Sequence, residues 1–257
     1  MKWIDSHCHL DFEVFSDQRA DIIRRAGELG IEKIVIPGVM AEHWERIRSI
    51  CREWPSVLVS SYGLHPCFLE SHEEAHLEQL DQWLGEHRPA AVGEIGLDFF
   101  IEDYDEDRQM HFFREQVRLA KPHKLPILVH CRKGQDLCLK VFRELNYDQG
   151  GFMHAYSGSL QQAERCLEFG FKLGIGGAAT YERSRKLHRI IRKLPLDSFV
   201  METDAPDIPP CFARDEPNTP LNIPKIAGYI CEHTGREVAE LAQATTENVR
   251  EQLKLAR

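Results

Sequence analysis

The sequence predicts an α/β fold, a single-domain (β/α)₈ TIM barrel with C-terminal helices spanning residues 1–257, on three observations. Short β-rich apolar runs alternate with longer stretches of helical periodicity from one end of the chain to the other. The runs number eight, and no G-x-G-x-x-G turn marks the open, doubly wound alternative. The length of 257 residues lies close to the ~250 residues such a barrel takes, enough to bury a core without disulfides or a structural metal.

The candidate strands, in order, are Lys2 to Ser6, Lys33 to Pro37, Val57 to Tyr62, Ala90 to Ile95, Ile127 to His130, Gly151 to His154, Phe171 to Ile175 and Phe199 to Glu202. Between them Ile22, Ile23, Ala26 and Leu29 recur at helical spacing, as do Phe113, Val117 and Ala120, while Ser159 with Gln162 reads as a capping box. Beyond Leu221 two more amphipathic stretches follow, the first on Ile223, Ile226 and Ile230, and are expected to close the outer ring. The proline-rich stretch Pro206 to Pro220 follows the eighth strand, where a barrel places a long loop over its active face.

Thirty-two basic against forty-one acidic residues give a net charge of -9. That argues against a broad electrostatic grip on a nucleic acid backbone and leaves room only for a local basic cleft. The eight cysteines, at 8, 51, 67, 131, 138, 166, 211 and 231, contain no C-x-x-C pair, so neither a zinc ribbon nor a disulfide scaffold is expected. Met1 leads directly into the first strand with no signal-peptide pattern, and no apolar run approaches the ~18 residues of a membrane span. A cytoplasmic chain without membrane contact is the expectation.

Chemistry concentrates in Ile4-Asp5-Ser6-His7-Cys8-His9-Leu10-Asp11, because extended backbone places residues two apart on one face and aims both imidazoles at one point. Alone, such a pair reads equally well as stacking or solvent-facing histidines. Glu94, His130, His154 and Asp204 each lie at the C-terminal end of a later strand, and in a closed barrel those ends converge. Four imidazoles and two carboxylates exceed what one tetrahedral zinc with an open position needs. They predict a pair of divalent cations (zinc, manganese or magnesium), with a carboxylate between them and a water made nucleophilic at neutral pH.

These residues fall within six ordered motifs: Asp5-Ser6-His7-Cys8-His9, Gly63-Leu64-His65-Pro66, Gly93-Glu94-Ile95-Gly96-Leu97-Asp98, Val129-His130-Cys131-Arg132, His154-Ala155-Tyr156-Ser157-Gly158 and Glu202-Thr203-Asp204-Ala205-Pro206. Across essentially its whole length the chain resembles the TatD-family deoxyribonucleases, a branch of the amidohydrolase superfamily of metal-dependent barrels. The resemblance implies that His7, His9, Glu94 and Asp204 hold one metal, and that Glu94, His130 and His154 hold the second, with Glu94 bridging. It further implies that Asp204 exchanges a proton with the attacking water. No lysine lies near the end of the fourth strand, so the carboxylated-lysine bridge of many amidohydrolases is not available here.

Around this set, His65 is a candidate for holding a substrate phosphate or a water, or else a turn histidine fixed by Pro66. Arg132 is a candidate phosphate ligand or an exposed loop arginine. Asp5 reads as orienting an imidazole, or as a hydrogen-bonded acid in the barrel interior. Asp98 and Glu202 read as supporting carboxylates, and Asp11 as a loop or cap residue. His72, His76, His87, His111, His123 and His188 fall in or beside helices, where solvation is expected. Trp3, Trp44, Trp54 and Trp83 read as packing residues. In Glu216-Pro217-Asn218-Thr219-Pro220, Thr219 stands where the family often has a basic residue, which weakens one phosphate contact.

The leading expectation is therefore a two-metal phosphodiesterase acting on nucleic acid, with single-stranded DNA as substrate and a 3′ to 5′ exonuclease polarity implied by the resemblance. The same site could serve a phosphotriester, ester, lactone, amide or aminoacyl-RNA bond, since fold and metal centre do not choose the substrate. A metal-binding protein without turnover is a third reading, set against the room the site leaves for water.

Overall fold

The computed structural model describes residues 1–256 and contains one eight-stranded parallel sheet whose strands follow one another in chain order. The strands are β1 (Trp3–Asp5), β2 (Ile31–Pro37), β3 (Leu58–Tyr62), β4 (Ala91–Asp98), β5 (Ile127–Arg132), β6 (Gly151–Met153), β7 (Phe171–Ile175) and β8 (Phe199–Met201). The edges β1 and β8 meet through Ser6 N donating to Met201 O at 2.9 Å, Asp204 N to His7 O at 2.9 Å and His9 N to Ala205 O at 2.8 Å. These bonds satisfy backbone groups that an open sheet would leave as a free edge. The eight-stranded barrel is therefore the fold the alternation predicts.

Helices α1 (Arg19–Glu28), α2 (Trp44–Glu53), α3 (Glu74–His87), α4 (Glu106–His123), α5 (Gln135–Glu144), α6 (Leu160–Glu168) and α7 (Arg185–Lys193) form the outer layer, followed by α8 (Ile223–Thr234). Each turns a buried stripe inward: Ile22, Ile23 and Ala26 on α1, Phe113, Val117 and Ala120 on α4, Ile223, Ile226 and Ile230 on α8. The capping box of α6 forms in both directions, with Gln162 N donating to Ser159 Oγ at 3.1 Å and Ser159 N to Gln162 Oε1 at 2.8 Å. Tyr62 packs edge to face with Trp44 and Trp83, which tilt against each other, Trp3 and Trp44 are fully buried and Trp54 packs on the core, so the tryptophans pack as expected. All eight cysteines are free. Among the described residues no helix is long and apolar enough to cross a membrane.

Three features depart from the sequence reading. First, β4 and β5 each run further, to Asp98 and Arg132, which stand opposite each other in the register. The extension depends on Gly96, whose absent side chain lets the two backbones meet: a Cβ there would sit 1.9 Å from the His130 carbonyl oxygen. Second, His154, expected as the last residue of the sixth strand, stands just beyond it, as His7, His9 and Asp204 stand beyond β1 and β8. Third, the last helix, α9 (Val238–Leu253), does not extend the outer ring. Its Val249 and Leu253 pack onto Ile4, Val35, Ala91, Leu128, Phe152 and Val200. Asn248 Nδ2 donates to Phe199 O at 2.7 Å and Thr246 Oγ1 to Lys2 O at 2.9 Å. The helix thus plugs the N-terminal end of the barrel, leaving only the C-terminal end to carry a site.

Candidate metal centre

The backbone beyond β1 aims the first two imidazoles. Cys8 makes a parallel bridge to Ala205 and donates its N to Val35 O at 3.0 Å. This extended path turns Cys8 into the core and leaves His7 and His9 both facing Glu94 and Asp204. Asp5 fastens the path to β8: its carboxylate accepts from Thr203 Oγ1 at 2.6 Å, Thr203 N at 3.0 Å and His7 N at 3.2 Å. Burial pushes the Asp5 pKa up, to about 7, against those three bonds. Of the two roles the sequence offers Asp5, the structure shows the hydrogen-bonded acid of the barrel interior, which ties the backbone of His7 to Thr203. Asp204 turns inward on a left-handed backbone, φ +58°, pinned by its bond to His7 O.

Glu94 is the centre of the cluster and is almost fully buried. Its Oε2 lies 3.1 Å from His7 Nε2 and 3.5 Å from His9 Nε2. Its Oε1 lies 3.2 Å from His130 Nδ1 and 3.3 Å from His65 Nε2. The Oδ1 of Asp204 is 3.3, 3.6 and 3.7 Å from the Nε2 atoms of His154, His9 and His7. His154 stacks on His7 with ring centroids 3.7 Å apart. The six residues singled out by sequence thus come together, but His154 stands with His7 and Asp204, while His65 is the neighbour of His130. Three groups each have donor atoms within 4.8 Å of one another: His7, His9 and Asp204; His7, Glu94 and His154, which shares His7 with the first; and, separately, His65, Cys67 and His130.

Behind these groups stand carboxylates and carbonyls that fix the rings. His130 Nε2 meets Asp98 Oδ2 at 2.9 Å, and His154 Nδ1 lies 3.1 Å from Glu202 Oε1, which also accepts from Ala155 N at 2.7 Å. Glu202 rests against Gly174, where a Cβ would come within 2.1 Å of Oε2. His65 is held by His72, whose Nε2 is 2.9 Å from His65 O, and Arg108 in turn donates to His72 O at 2.6 Å. Burial penalises the Glu94 carboxylate, but His7, His65 and the hydrogen bond from His130 outweigh it and hold the pKa well below the ordinary range. Burial likewise opposes protonation of His130, yet Asp98 and Glu94 raise it to about 9. His9 goes the other way, to about 4, because burial and the neighbouring His7 dominate.

His65 and Arg132 both line the mouth, a cavity of about 600 Å³ whose other walls include Phe12, Phe68 and Asp207. The guanidinium of Arg132 donates to Asp98 Oδ2 at 3.3 Å and its side chain is half exposed. Two histidines expected in solvent are instead buried: His72, bonded as above, and His188, whose Nε2 meets Ala179 O at 2.7 Å. Both exchange solvation for a hydrogen bond to a backbone carbonyl. His111 and His123 do lie on the surface, beside Glu74 and Asp81. Cys67, which the sequence reading passed over, reaches the site by lying two residues after His65, with its thiol 3.5 Å from Asp98 Oδ2.

The loop after β8 is stitched by the fully buried Asn218. Its Nδ2 donates to Thr203 O at 2.7 Å and Ile208 O at 3.2 Å, and its Oδ1 accepts from Thr219 N and Asn222 Nδ2, each at 2.9 Å. Asn218→Ala strands these groups, the Thr203 carbonyl in the buried interior, and is expected to cost about 2–3 kcal/mol. A melting curve should show Tm lower by roughly 5–10 °C for a chain of this size. A change below about 1 °C would mean that the loop is held by other contacts.

The chain matches the family model for TatD related DNase over residues 4–254. It is 40% identical over 250 residues to the uncharacterized metal-dependent hydrolase YjjV of Escherichia coli, covering 96% of each chain. The crystal structure of the TatD homolog YJJV from Escherichia coli superposes with a TM-score of 0.94 at 38% identity, covering 99% of this chain and 98% of that one. The 3'-5' ssDNA/RNA exonuclease TatD of Pectobacterium carotovorum is 28% identical over 258 residues, covering 98% of this chain and 99% of its own.

Proposed function

The chain belongs to the TatD family and is a metal-dependent hydrolase, and from that premise we propose that it is a phosphodiesterase acting on single-stranded DNA through two divalent cations. The observation that carries this reading is the division of Glu94, with Oε2 facing His7 and His9 and Oε1 facing His65 and His130. One carboxylate serving two clusters of imidazoles is the arrangement a bridged pair of cations needs. The donors fit such ions chemically: Glu94 and Asp204 supply negative charge, the Nε2 atoms of His7, His9 and His154 point inward, and among the described residues no lysine or arginine nitrogen neutralises the two carboxylates within 4.0 Å.

His7, His9, His154 and Asp204 would hold one ion and His130 with its partner His65 the other, Glu94 being shared. When bound, the ions make water acidic enough to attack at neutral pH and offset the charge that develops on a phosphoryl oxygen. Asp204, the most accessible of the carboxylates that face the imidazoles, accepts the proton of the attacking water and returns it to the leaving oxygen. Asp98 and Glu202 keep the rings of His130 and His154 oriented, as carboxylates behind metal-binding histidines do. Arg132, and His65 where it is not engaged as a ligand, stand where the remaining phosphate oxygens would lie. The exonuclease named among the relatives supports attack from the 3′ end.

The test is to strip the protein with EDTA and add back zinc, manganese or magnesium with 3′- and 5′-labelled single-stranded DNA. Release of mononucleotides from the 3′ end only on metal addition is expected. Absence of metal-dependent cleavage would remove the nuclease assignment, and hydrolysis of bis(4-nitrophenyl) phosphate without cleavage of DNA would move the substrate to a small diester.

A further inference from the structure

Among the described residues the large exposed apolar side chains are Met1, Val14, Leu29, Phe100 and Tyr104, and the two aromatic ones share a single loop, between β4 and α4 at the barrel mouth. Phe100 is 58% exposed. Two cations gather on its ring, Arg132 with its guanidinium carbon 4.2 Å from the centroid and Lys133 with its ammonium at 4.5 Å. Like charges held on one ring repel each other. Arg132 has Asp98 as counter-charge, while Lys133 has no carboxylate partner among the described residues.

This arrangement is built into the fold and tied to the metal centre. Phe100 N donates to Asp98 Oδ1 at 2.8 Å, and the other oxygen of the same carboxylate holds both Arg132 and His130. Lys133 sits at φ +62°, a left-handed conformation that residues other than glycine seldom adopt. Gly134 follows it against Leu97, where a Cβ would come within 2.9 Å. Arg132 lines the main cavity and also a second of about 360 Å³ walled by Tyr156, Leu187 and Ile190, the two sharing Ala155 and Ile208.

We infer that Phe100, Arg132 and Lys133 form a docking step for single-stranded nucleic acid, a base packing against the exposed ring of Phe100 while its phosphate lies between the two cations. The inference rests on the phosphodiesterase reading and narrows it, because a base inside a duplex has no free face to offer a protruding ring. An anion placed between Arg132 and Lys133 relieves their repulsion, and a local pair of this kind supplies the grip that a chain of net charge -9 cannot supply globally.

The test is fluorescence anisotropy of metal-loaded protein with a labelled phosphorothioate oligothymidylate, which resists cleavage, over a series of salt concentrations. Phe100→Ala should weaken binding about tenfold, within the range of one base–aromatic stack, Phe100→Trp should restore it, and Phe100→Leu should not. Lys133→Gln should reduce the slope of log affinity against log salt by about 0.7, the value for one lost phosphate contact on a single strand. Unchanged affinity in Phe100→Ala, full affinity in Phe100→Leu, or no binding by the unaltered protein would overturn the inference. So would a concentration-dependent dimer lost in Phe100→Ala while DNA affinity stays the same, which would make the ring a contact between copies. Binding that depends on Phe100 without any cleavage would leave the docking step standing and remove the nuclease reading, whereas cleavage with Phe100-independent binding would do the reverse.

Discussion

Glu94→Gln is expected to lower kcat/KM for any hydrolysed substrate by at least about a thousandfold, the several kcal/mol that metal-assisted charge stabilisation supplies. The substitution preserves the shape of a side chain that is almost fully buried, so the barrel should remain folded. What it removes is the charge that His7 and His9 face from one oxygen and His65 and His130 from the other. A neutral amide cannot bridge two cations, and its NH₂ would point a donor at one cluster of imidazoles. Metal content measured by mass spectrometry should fall alongside activity. Retention of both within tenfold of the unaltered protein would show that the two clusters do not depend on a shared carboxylate.

Gly96→Ala is expected to destabilise the chain by about 3 kcal/mol or more, the range for forcing atoms into a packed interior. The added methyl would lie 1.9 Å from the His130 carbonyl oxygen and 2.8 Å from its carbon, and the backbone φ of +150° is one that L side chains rarely adopt. Either β4 or β5 must shift, and both carry site residues. Tm should therefore drop by roughly 10 °C, and hydrolysis by the remaining folded protein should drop as well, because His130 is displaced. Gly228→Ala is the control: this glycine lies within α8 with nothing within 4 Å of the new methyl, and the change should stabilise by about 0.5–1 kcal/mol. If the two variants melt alike, the close approach of β4 to β5 is not what holds His130.

Much of this architecture is legible locally. Eight apolar runs with helical stripes between them encode the barrel, because burial on a strand or a helix imposes a period that a short window of sequence displays. The same logic reaches the site, since His7 and His9 at extended spacing, and Glu94, His130, His154 and Asp204 near strand ends, need only barrel closure to meet. The Ser159 and Gln162 capping box is a three-residue pattern and forms as read.

What only the tertiary structure decided are the contacts between residues far apart in the chain. Asp5, open to two roles in the sequence, is a hydrogen-bonded acid of the interior because its bonds reach Thr203, 198 positions away. His72 and His188 became buried because a particular carbonyl, not a period, awaited each of them. The placement of His154 beside His7 rather than His130, the plug made by α9, and the crowding of Arg132 and Lys133 on Phe100 are of the same kind. By itself the sequence determined which imidazoles and carboxylates gather at the mouth of the barrel. Their pairing follows from the register of eight strands and the absence of a Cβ at Gly96 and Gly174, distances set by packing across the barrel that no local pattern contains.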